Sequence, residues 1–113
     1  MKSCVFCKIA TGEIPCEKIY ENTNFFSIFD ANPKTEGHAL VISKKHFETL
    51  LDLPVLLGND LTDCIKKTSL KILEEFKSEG FNILGNNFKV AGQVVNHLHF
   101  HILPRKRGDN INL

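Results

Sequence analysis

The chain has 113 residues, in which 14 lysines and arginines stand against 13 aspartates and glutamates, for a formal net charge of +1. A charge so close to balance provides no global field for nucleic acid or an anionic membrane, so an anionic ligand must be held locally. The length suits one domain over 1–113, and with no long apolar run we expect a cytoplasmic protein without a membrane or nucleic-acid partner.

The N-terminal segment 4–11 predicts a short helix or turn that ends at Gly12. Its Cys4-x-x-Cys7 pair belongs to a chain whose four cysteines are too sparse for a disulfide scaffold, so we expect reduced thiols. A redox pair would follow a strand of a βαβ unit, whereas this pair opens the chain. Zinc is the stronger functional interpretation, with two histidines completing a Cys2His2 set, and incidental small residues remain the alternative.

Short β-prone runs bounded by turn residues predict strands at 18–20, 25–29, 39–42 and 81–84. A long amphipathic helix is predicted from Asn59 or Asp60 to about Ser78, with Gly80 as its stop. Strands around one main helix, without repeated βα alternation, indicate an α+β domain on an antiparallel sheet. The open edges of such a sheet favour a symmetric dimer.

The C-terminal run 97–103 predicts the last strand, and it carries a histidine at every second position: His97, His99 and His101. Because a strand has a period of two, these histidines share one face, and the apolar residues between them anchor the other. Pro104 cannot donate to a ladder and is expected to mark the end of the strand. One such histidine is usually a packing residue, but three in register favour proton transfer, metal ligation or attack on phosphorus.

The loop 85–93 before this strand combines the side-chain amides of Asn86 and Gln93 with Gly92, which lets backbone N–H groups approach a ligand. Such a loop can cradle phosphate, although on its own it would be an ordinary polar turn.

Further short motifs occur in a fixed order along the chain: 6–8, Glu13-Ile14-Pro15, Phe29-Asp30, Pro33, Gly37-His38, 40–42, Lys44-Lys45-His46, Asn86, Ala91-Gly92-Gln93 and 97–105. With these motifs the chain resembles the histidine triad (HIT) superfamily, in particular its Hint-like or bacterial-type nucleotide hydrolases. The resemblance covers nearly the whole chain. It implies a HIT-like fold, with an antiparallel sheet of about five strands, one main helix and a short N-terminal helix, pairing into a homodimer.

The resemblance implies that His99 attacks the α-phosphate of a nucleotide and forms a nucleotidyl-histidine intermediate, which water then hydrolyses. The attacking imidazole must hold its proton on the other nitrogen, in this family against a backbone carbonyl. His101 would bind phosphate oxygens and help to position the leaving group, and His38 would lie beside the phosphate as a fourth active-site histidine.

The same resemblance assigns the nucleotide contacts. The anionic oxygens would be held by Asn86, Gly92, Gln93 and the backbone at Val94. Asp30 would accept hydrogen bonds from the ribose hydroxyls, and the cleft for a purine base would be lined by Phe6, Ile9, Ile14, Ile28 and Ala31. Judged alone, the apolar residues would be core and Asp30 a strand-end carboxylate.

A zinc site is also implied, since relatives pair an N-terminal Cys-x-x-Cys with two histidines. The matching positions here are Cys4, Cys7, His46 and His97. With four protein ligands the zinc would be structural rather than catalytic. No organic cofactor is expected.

The chain departs from the family pattern at Val94, where many Hint-like members carry a hydroxyl residue, and at Phe88, where glycine is common. It also lacks the longer tail that in some relatives reaches the partner's substrate site. We therefore expect a hydrolase of nucleoside monophosphate derivatives, purine phosphoramidates above all, with altered leaving-group selectivity. The alternatives are a dinucleoside polyphosphate hydrolase, a metal-dependent hydrolase with all three strand histidines as ligands, and a non-catalytic nucleotide-binding regulator.

Overall fold

The computed structural model describes residues 3–113, and within them it contains two α-helices and five strands. The elements are α1 (Val5–Ala10), β1 (Tyr20–Glu21), β2 (Phe25–Phe29), β3 (Ala39–Ser43), α2 (Gly58–Phe76), β4 (Gly80–Leu84) and β5 (His99–Arg105). Single 3-10 turns lie at Leu50–Asp52, Val55–Leu57 and Lys89–Ala91. The predicted α+β class is confirmed, and no helix described over 3–113 is long and apolar enough to cross a bilayer.

The five strands form one sheet in the order β1-β2-β3-β5-β4, and every neighbouring pair is antiparallel. Strand β5 therefore lies inside the sheet, between β3 and β4. His99 is paired with Ile42 of β3, and His101 is paired with Leu40 of β3 and Leu84 of β4. Pairing on both sides fixes the register of β5, and a slip of one residue would turn both histidines to the other face.

Each face of the sheet is covered by one helix. Helix α1 packs on one face, in a cluster of Phe6, Ile9, Phe26, Ile28, Leu40 and Ile42. Helix α2 packs on the other, in a cluster of Phe25, Ala39, Val41, Cys64, Ile72 and Ile102. Since cross-strand partners point to the same side, His99 and His101 share the α1 face with Ile42 and Leu40.

Helix α2 ends two residues before the predicted limit near Ser78, and Gly80 is not its stop. The helix ends at Phe76, and Lys77 takes the left-handed conformation with φ +54°, while the Ser78 N–H donates to the Leu73 carbonyl at 3.0 Å. The apolar stripe of α2 stops at Phe76, whose ring packs edge-on against Phe29 with centroids 5.9 Å apart. The chain therefore turns before it reaches Gly80, which opens β4.

The predicted limits of the last strand are also corrected. Strand β5 begins at His99, because the His97 N–H donates to the Val95 carbonyl at 2.9 Å in a turn that precedes the strand. Pro104 does not end the strand, which continues to Arg105. Pairing with β3 stops at Ile102, so Pro104 is paired with β4 alone and its missing N–H interrupts no β3 ladder.

Candidate active site

A cavity of about 620 Å³ opens on the α1 face of the sheet. Its walls come from α1, the end of β2 with the turn that follows, β3, the loop before β5 and β5 itself. They include most of the residues predicted to bind nucleotide or to act in catalysis: Phe6, Ile9, Ile28, Asp30, Ala31, His38, Asn86, Gly92, Val94, His99 and His101. The volume suits a small organic ligand, and the mixture of apolar walls with a few convergent polar groups is typical of ligand sites.

Two residues of the predicted set lie outside this lining. Ile14 is more than a third exposed and belongs to the turn after α1. The Gln93 side chain is engaged within the protein, since its Nε2 donates to the Glu48 carbonyl at 2.6 Å and its Oε1 accepts the Phe88 N–H at 2.8 Å. Gln93 therefore braces the loop before β5, since both polar atoms of its side chain make hydrogen bonds within the protein.

Sequence reasoning missed other parts of the wall, namely Val5, Cys16, Phe29, Asn32, Lys34, Leu40, Leu84 and Val95. Leu40 could have been predicted from the sequence as part of this wall, because strand alternation places it on the same face as Ile42. Lys34 could not have been, since its position depends on how the turn between β2 and β3 folds back over the sheet.

His99 has one defined proton position. Its Nδ1 lies 2.7 Å from the His97 carbonyl oxygen, and a carbonyl can only accept a hydrogen bond, so Nδ1 carries the proton. Nε2 is then the nitrogen that can offer a lone pair. The ring is packed between Phe6 and His101, with centroids 5.1 and 5.2 Å away. The backbone-carbonyl contact that the resemblance implied is present.

His101, His38 and Asp30 form a compact group at the other side of the cavity. His38 Nε2 lies 2.9 Å from His101 Nδ1 and 3.4 Å from Asp30 Oδ2. Burial lowers the pKa of His38, and burial together with the neighbouring His99 and His38 lowers the pKa of His101 to about 4. Both imidazoles are therefore neutral at pH 7, and Asp30 supplies the negative charge of the group.

The loop before β5 has the strained backbone expected of a ligand cradle. Gly92 has φ +97°, and the Asn86 amide donates to its carbonyl at 3.4 Å. Phe88 has φ +75°, a conformation that glycine adopts most easily. The Phe88 side chain is half exposed, so it does not fill the space inside the loop.

A second cluster lies where α1 approaches the residues before β5. The donor atoms of Cys4, Cys7, His46 and His97 all lie within 4.8 Å of one another. His97 Nδ1 is 3.2 Å from Cys4 Sγ and 3.1 Å from His46 Nδ1, and Cys7 Sγ is 3.3 Å from His46 Nδ1. Two thiols and two imidazoles at these separations fit a closed tetrahedral site for zinc.

The outer contacts of His97 agree with a ligand role. Its Nε2 lies 2.7 Å from the Ser43 carbonyl, so Nε2 carries the proton and Nδ1 is left bare toward the two thiols. Burial lowers the pKa of His97 to about 4, which keeps the ring neutral.

The three histidines of the C-terminal motif do not converge on one point. Within residues 3–113, His97 belongs to the cysteine cluster, His101 to the group with Asp30 and His38, and His99 to neither. This separation counts against a catalytic metal held by all three.

The chain matches known proteins over nearly its whole length. A family model described as "HIT domain" matches residues 11–108. An uncharacterized HIT-like protein of Methanocaldococcus jannaschii is 44% identical over 108 residues, which cover 94% of this chain and 81% of that protein. An adenosine 5'-monophosphoramidase of Candida albicans is 42% identical over 108 residues, covering 92% of this chain and 71% of that protein.

Solved structures give the same result. A zinc-bound histidine triad family protein from Mycobacterium smegmatis superposes with a TM-score of 0.91 at 38% identity, covering 99% of this chain and 81% of that one. The five-stranded antiparallel sheet of this chain, with its paired histidines over a cavity, is therefore the fold of the histidine triad proteins. The chain belongs to the HIT family.

Proposed function

We propose that the chain is a nucleotide hydrolase that cleaves purine nucleoside phosphoramidates, or related nucleoside monophosphate derivatives, through a nucleotidyl intermediate on His99. The observation that carries the proposal is the 2.7 Å contact of His99 Nδ1 with the His97 carbonyl, which holds a proton on Nδ1 and so makes Nε2 the attacking nitrogen of a ring that lines the cavity. The name of the Candida albicans relative, an adenosine 5'-monophosphoramidase, supports the same class of reaction.

In the first step the Nε2 lone pair of His99 forms a bond to the α-phosphorus. The bond from phosphorus to the leaving nitrogen breaks, its electron pair stays on that nitrogen, and the nitrogen takes up a proton to depart as a neutral amine. In the second step water attacks phosphorus, the bond to His99 breaks, and the nucleoside monophosphate is released. The proton consumed in the first step is returned by the attacking water, so the sum is hydrolysis of one phosphorus–nitrogen bond.

Other residues would hold the substrate for this reaction. His101, Asn86 and the backbone around Gly92 and Val94 line the same cavity and offer donors to the phosphate oxygens, where negative charge develops. Asp30 lies at the end of β2, within reach of a ribose whose base occupies the apolar wall. That wall carries few hydrogen-bonding groups, which suits a purine recognised mainly by shape and stacking.

We also propose that Cys4, Cys7, His46 and His97 hold a structural zinc ion. The donor set supports this proposal, as does the zinc-bound relative from Mycobacterium smegmatis. The ion would tie α1 to the segments before α2 and β5, and with four protein ligands it would have no open position for substrate. Its binding energy would then appear as folding stability.

We further infer that the chain forms a homodimer. Strand β4 is an edge of the sheet, and the side chains of Phe81 and Ile83 on it are 39% and 52% exposed. An exposed edge of this kind needs a partner or a cover. Sedimentation equilibrium of the full chain tests this, and a monomer at micromolar concentration would contradict it.

A substrate panel tests the proposed activity and separates it from its alternatives. Adenosine and guanosine phosphoramidates, dinucleoside polyphosphates and nucleotide sugars are offered to the wild type, and release of the monophosphate is measured. We expect the phosphoramidates to be cleaved fastest. Fastest cleavage of dinucleoside polyphosphates would change the substrate class, and tight monophosphate binding without any turnover would make the protein a nucleotide-binding regulator.

A further inference from the structure

We propose that His38 is a positioning residue that holds His101 in the tautomer with its proton on Nε2. The two histidines that line the cavity would then present opposite chemistry to a bound phosphate, a bare nitrogen from His99 and an N–H from His101. The assignment of these edges to a phosphate substrate rests on the function proposed above, but the proton positions follow from contacts within the protein.

The first step concerns the proton on His38. The backbone N–H of Lys34 points at His38 Nδ1, and the two nitrogens are 3.1 Å apart. A backbone amide can only donate, so Nδ1 of His38 must accept and carries no proton. Neutral His38 therefore has its proton on Nε2.

The proton on His38 Nε2 also determines which nitrogen of His101 carries a proton. His38 Nε2 is 2.9 Å from His101 Nδ1, so the His38 proton points at that nitrogen, with Asp30 Oδ2 at 3.4 Å as a weaker second acceptor. His101 Nδ1 must then accept, and its proton lies on Nε2. The opposite tautomer of His101 would require His38 Nε2 to accept, which would place a proton on His38 Nδ1 against the Lys34 N–H.

Without His38, the nearby Asp30 carboxylate would favour a different proton position on His101. Asp30 Oδ2 also lies 4.0 Å from His101 Nδ1, and a carboxylate at that distance favours a proton on Nδ1 or a charged imidazolium. His38 is 2% exposed and offers its own N–H to both groups, so it separates the carboxylate from His101. The same argument counts against a metal ion held by Asp30, His38 and His101, because His38 Nε2 would have to be a bare ligand.

The consequence concerns phosphate recognition. The unprotonated oxygens of a phosphate can only accept hydrogen bonds, and an N–H on His101 Nε2 is a donor that they can use. A bare Nε2 on His101 would instead repel them. The contacts therefore place the protons of His99 and His101 on different ring nitrogens, Nδ1 and Nε2, so the two histidines cannot exchange roles.

Long-range 1H–15N correlation spectra of the full chain, labelled with 15N-histidine at pH 7.5, test the proton positions directly. We expect His38 and His101 to show a protonated Nε2 and a bare Nδ1, and His99 to show the reverse. A protonated Nδ1 on His101 in the wild type would overturn the proposal, whether or not the protein turns over any nucleotide.

Two matched substitutions test the role of the His38 N–H. In His38→Gln the side-chain amide can replace that N–H, whereas His38→Met fills the space without a donor. We expect His38→Met to lower kcat by about 10- to 100-fold, below or near the loss caused by removing an oxyanion donor, and to move the His101 proton toward Nδ1. His38→Gln should keep the His101 tautomer and most of kcat.

The spectra distinguish this role from a merely structural one. Equal losses of kcat in both variants, with the His101 tautomer unchanged in each, would contradict a positioning role for His38. If a variant unfolds, the wild-type spectrum still decides the proton positions. If the wild type shows the expected tautomers but cleaves no member of the substrate panel, the proposed function fails and the tautomer assignment stands.

Discussion

Gly37, which immediately precedes His38, is the position where a single added methyl group should be most informative about the fold. Its φ is +86°, and a Cβ built there would lie 2.6 Å from Cδ2 of the Phe76 ring. Gly37→Ala should therefore combine two costs. Left-handed backbone costs an L residue about 1–2 kcal/mol, and overpacking against the ring adds about 1–3 kcal/mol, so we expect a loss of about 2–5 kcal/mol in the free energy of unfolding.

Gly12 provides the matched control. Its φ is +81°, and a Cβ there would meet no atom within 4 Å among the described residues other than its two chain neighbours. Gly12→Ala should cost only the backbone contribution of about 1–2 kcal/mol. In a Phe76→Ala background the ring is absent, so Gly37→Ala should fall to the same value, and the double-mutant cycle should give a coupling of about 1–3 kcal/mol.

Urea unfolding of the wild type, the three single variants and the Gly37→Ala/Phe76→Ala double variant measures these quantities. Equal costs for Gly12→Ala and Gly37→Ala, within about 0.5 kcal/mol, would refute the packing argument, since that is the accuracy with which independent sites add.

Three further outcomes are expected. Asp30→Asn should weaken the binding of ribonucleotides more than that of 2′,3′-dideoxynucleotides, by about 1.5–3 kcal/mol if the charged hydrogen bonds are well formed. Any effect through His38 would act on both classes of ligand, so equal losses of binding free energy in calorimetry would remove Asp30 from the ribose site. Cys4→Ser combined with Cys7→Ser should lose stoichiometric zinc and lower the melting temperature while turnover per folded molecule survives; activity that disappears from a folded protein and returns only with zinc would make the metal catalytic. Burial lowers the pKa of His101 from 6.5 to about 4, so between these values the unfolded chain binds a proton that the folded chain does not. The stability from this group is complete above about pH 6.5 and is lost by up to about 1.4 kcal/mol per pH unit as the pH falls toward 4; unfolding at pH 7.5, 5.5 and 4.5 should be less steeply pH-dependent in His101→Gln, and identical slopes would contradict the assignment.

The sequence predicted the elements whose patterns are set by local chemistry. The β-prone residue types of β2 and β3, with turn residues on either side, predicted these strands, and the amphipathic period of α2 predicted the helix. The structure places all three near the predicted limits. The boundaries that failed depend on other parts of the chain. Pro104 stays in β5 because β3 pairs with β5 only as far as Ile102. Lys77 ends helix α2 because the apolar stripe of the helix stops at Phe76.

The site followed the same division. Residue types and spacing indicated a zinc site made of Cys4, Cys7 and two histidines, and the resemblance to the histidine triad family implied that these are His46 and His97. The structure brings the four side chains together. Two contacts with the backbone left no trace in the sequence. The Lys34 N–H that donates to His38 Nδ1, and the Glu48 carbonyl that accepts from Gln93 Nε2, are brought into place only when separate turns of the chain meet.

The central claim is that His99 forms a covalent bond to the nucleotide, and isolation of that adduct tests it most directly. The wild type is mixed with an adenosine phosphoramidate, quenched within the first turnover at alkaline pH to protect a phosphorus–imidazole bond, digested and mapped by mass spectrometry. We expect the wild type to carry one adenylylated residue, His99. We expect no adduct in His99→Ala, which should still bind the monophosphate. An adduct on another residue, or turnover of His99→Ala near the wild-type rate, would contradict the account.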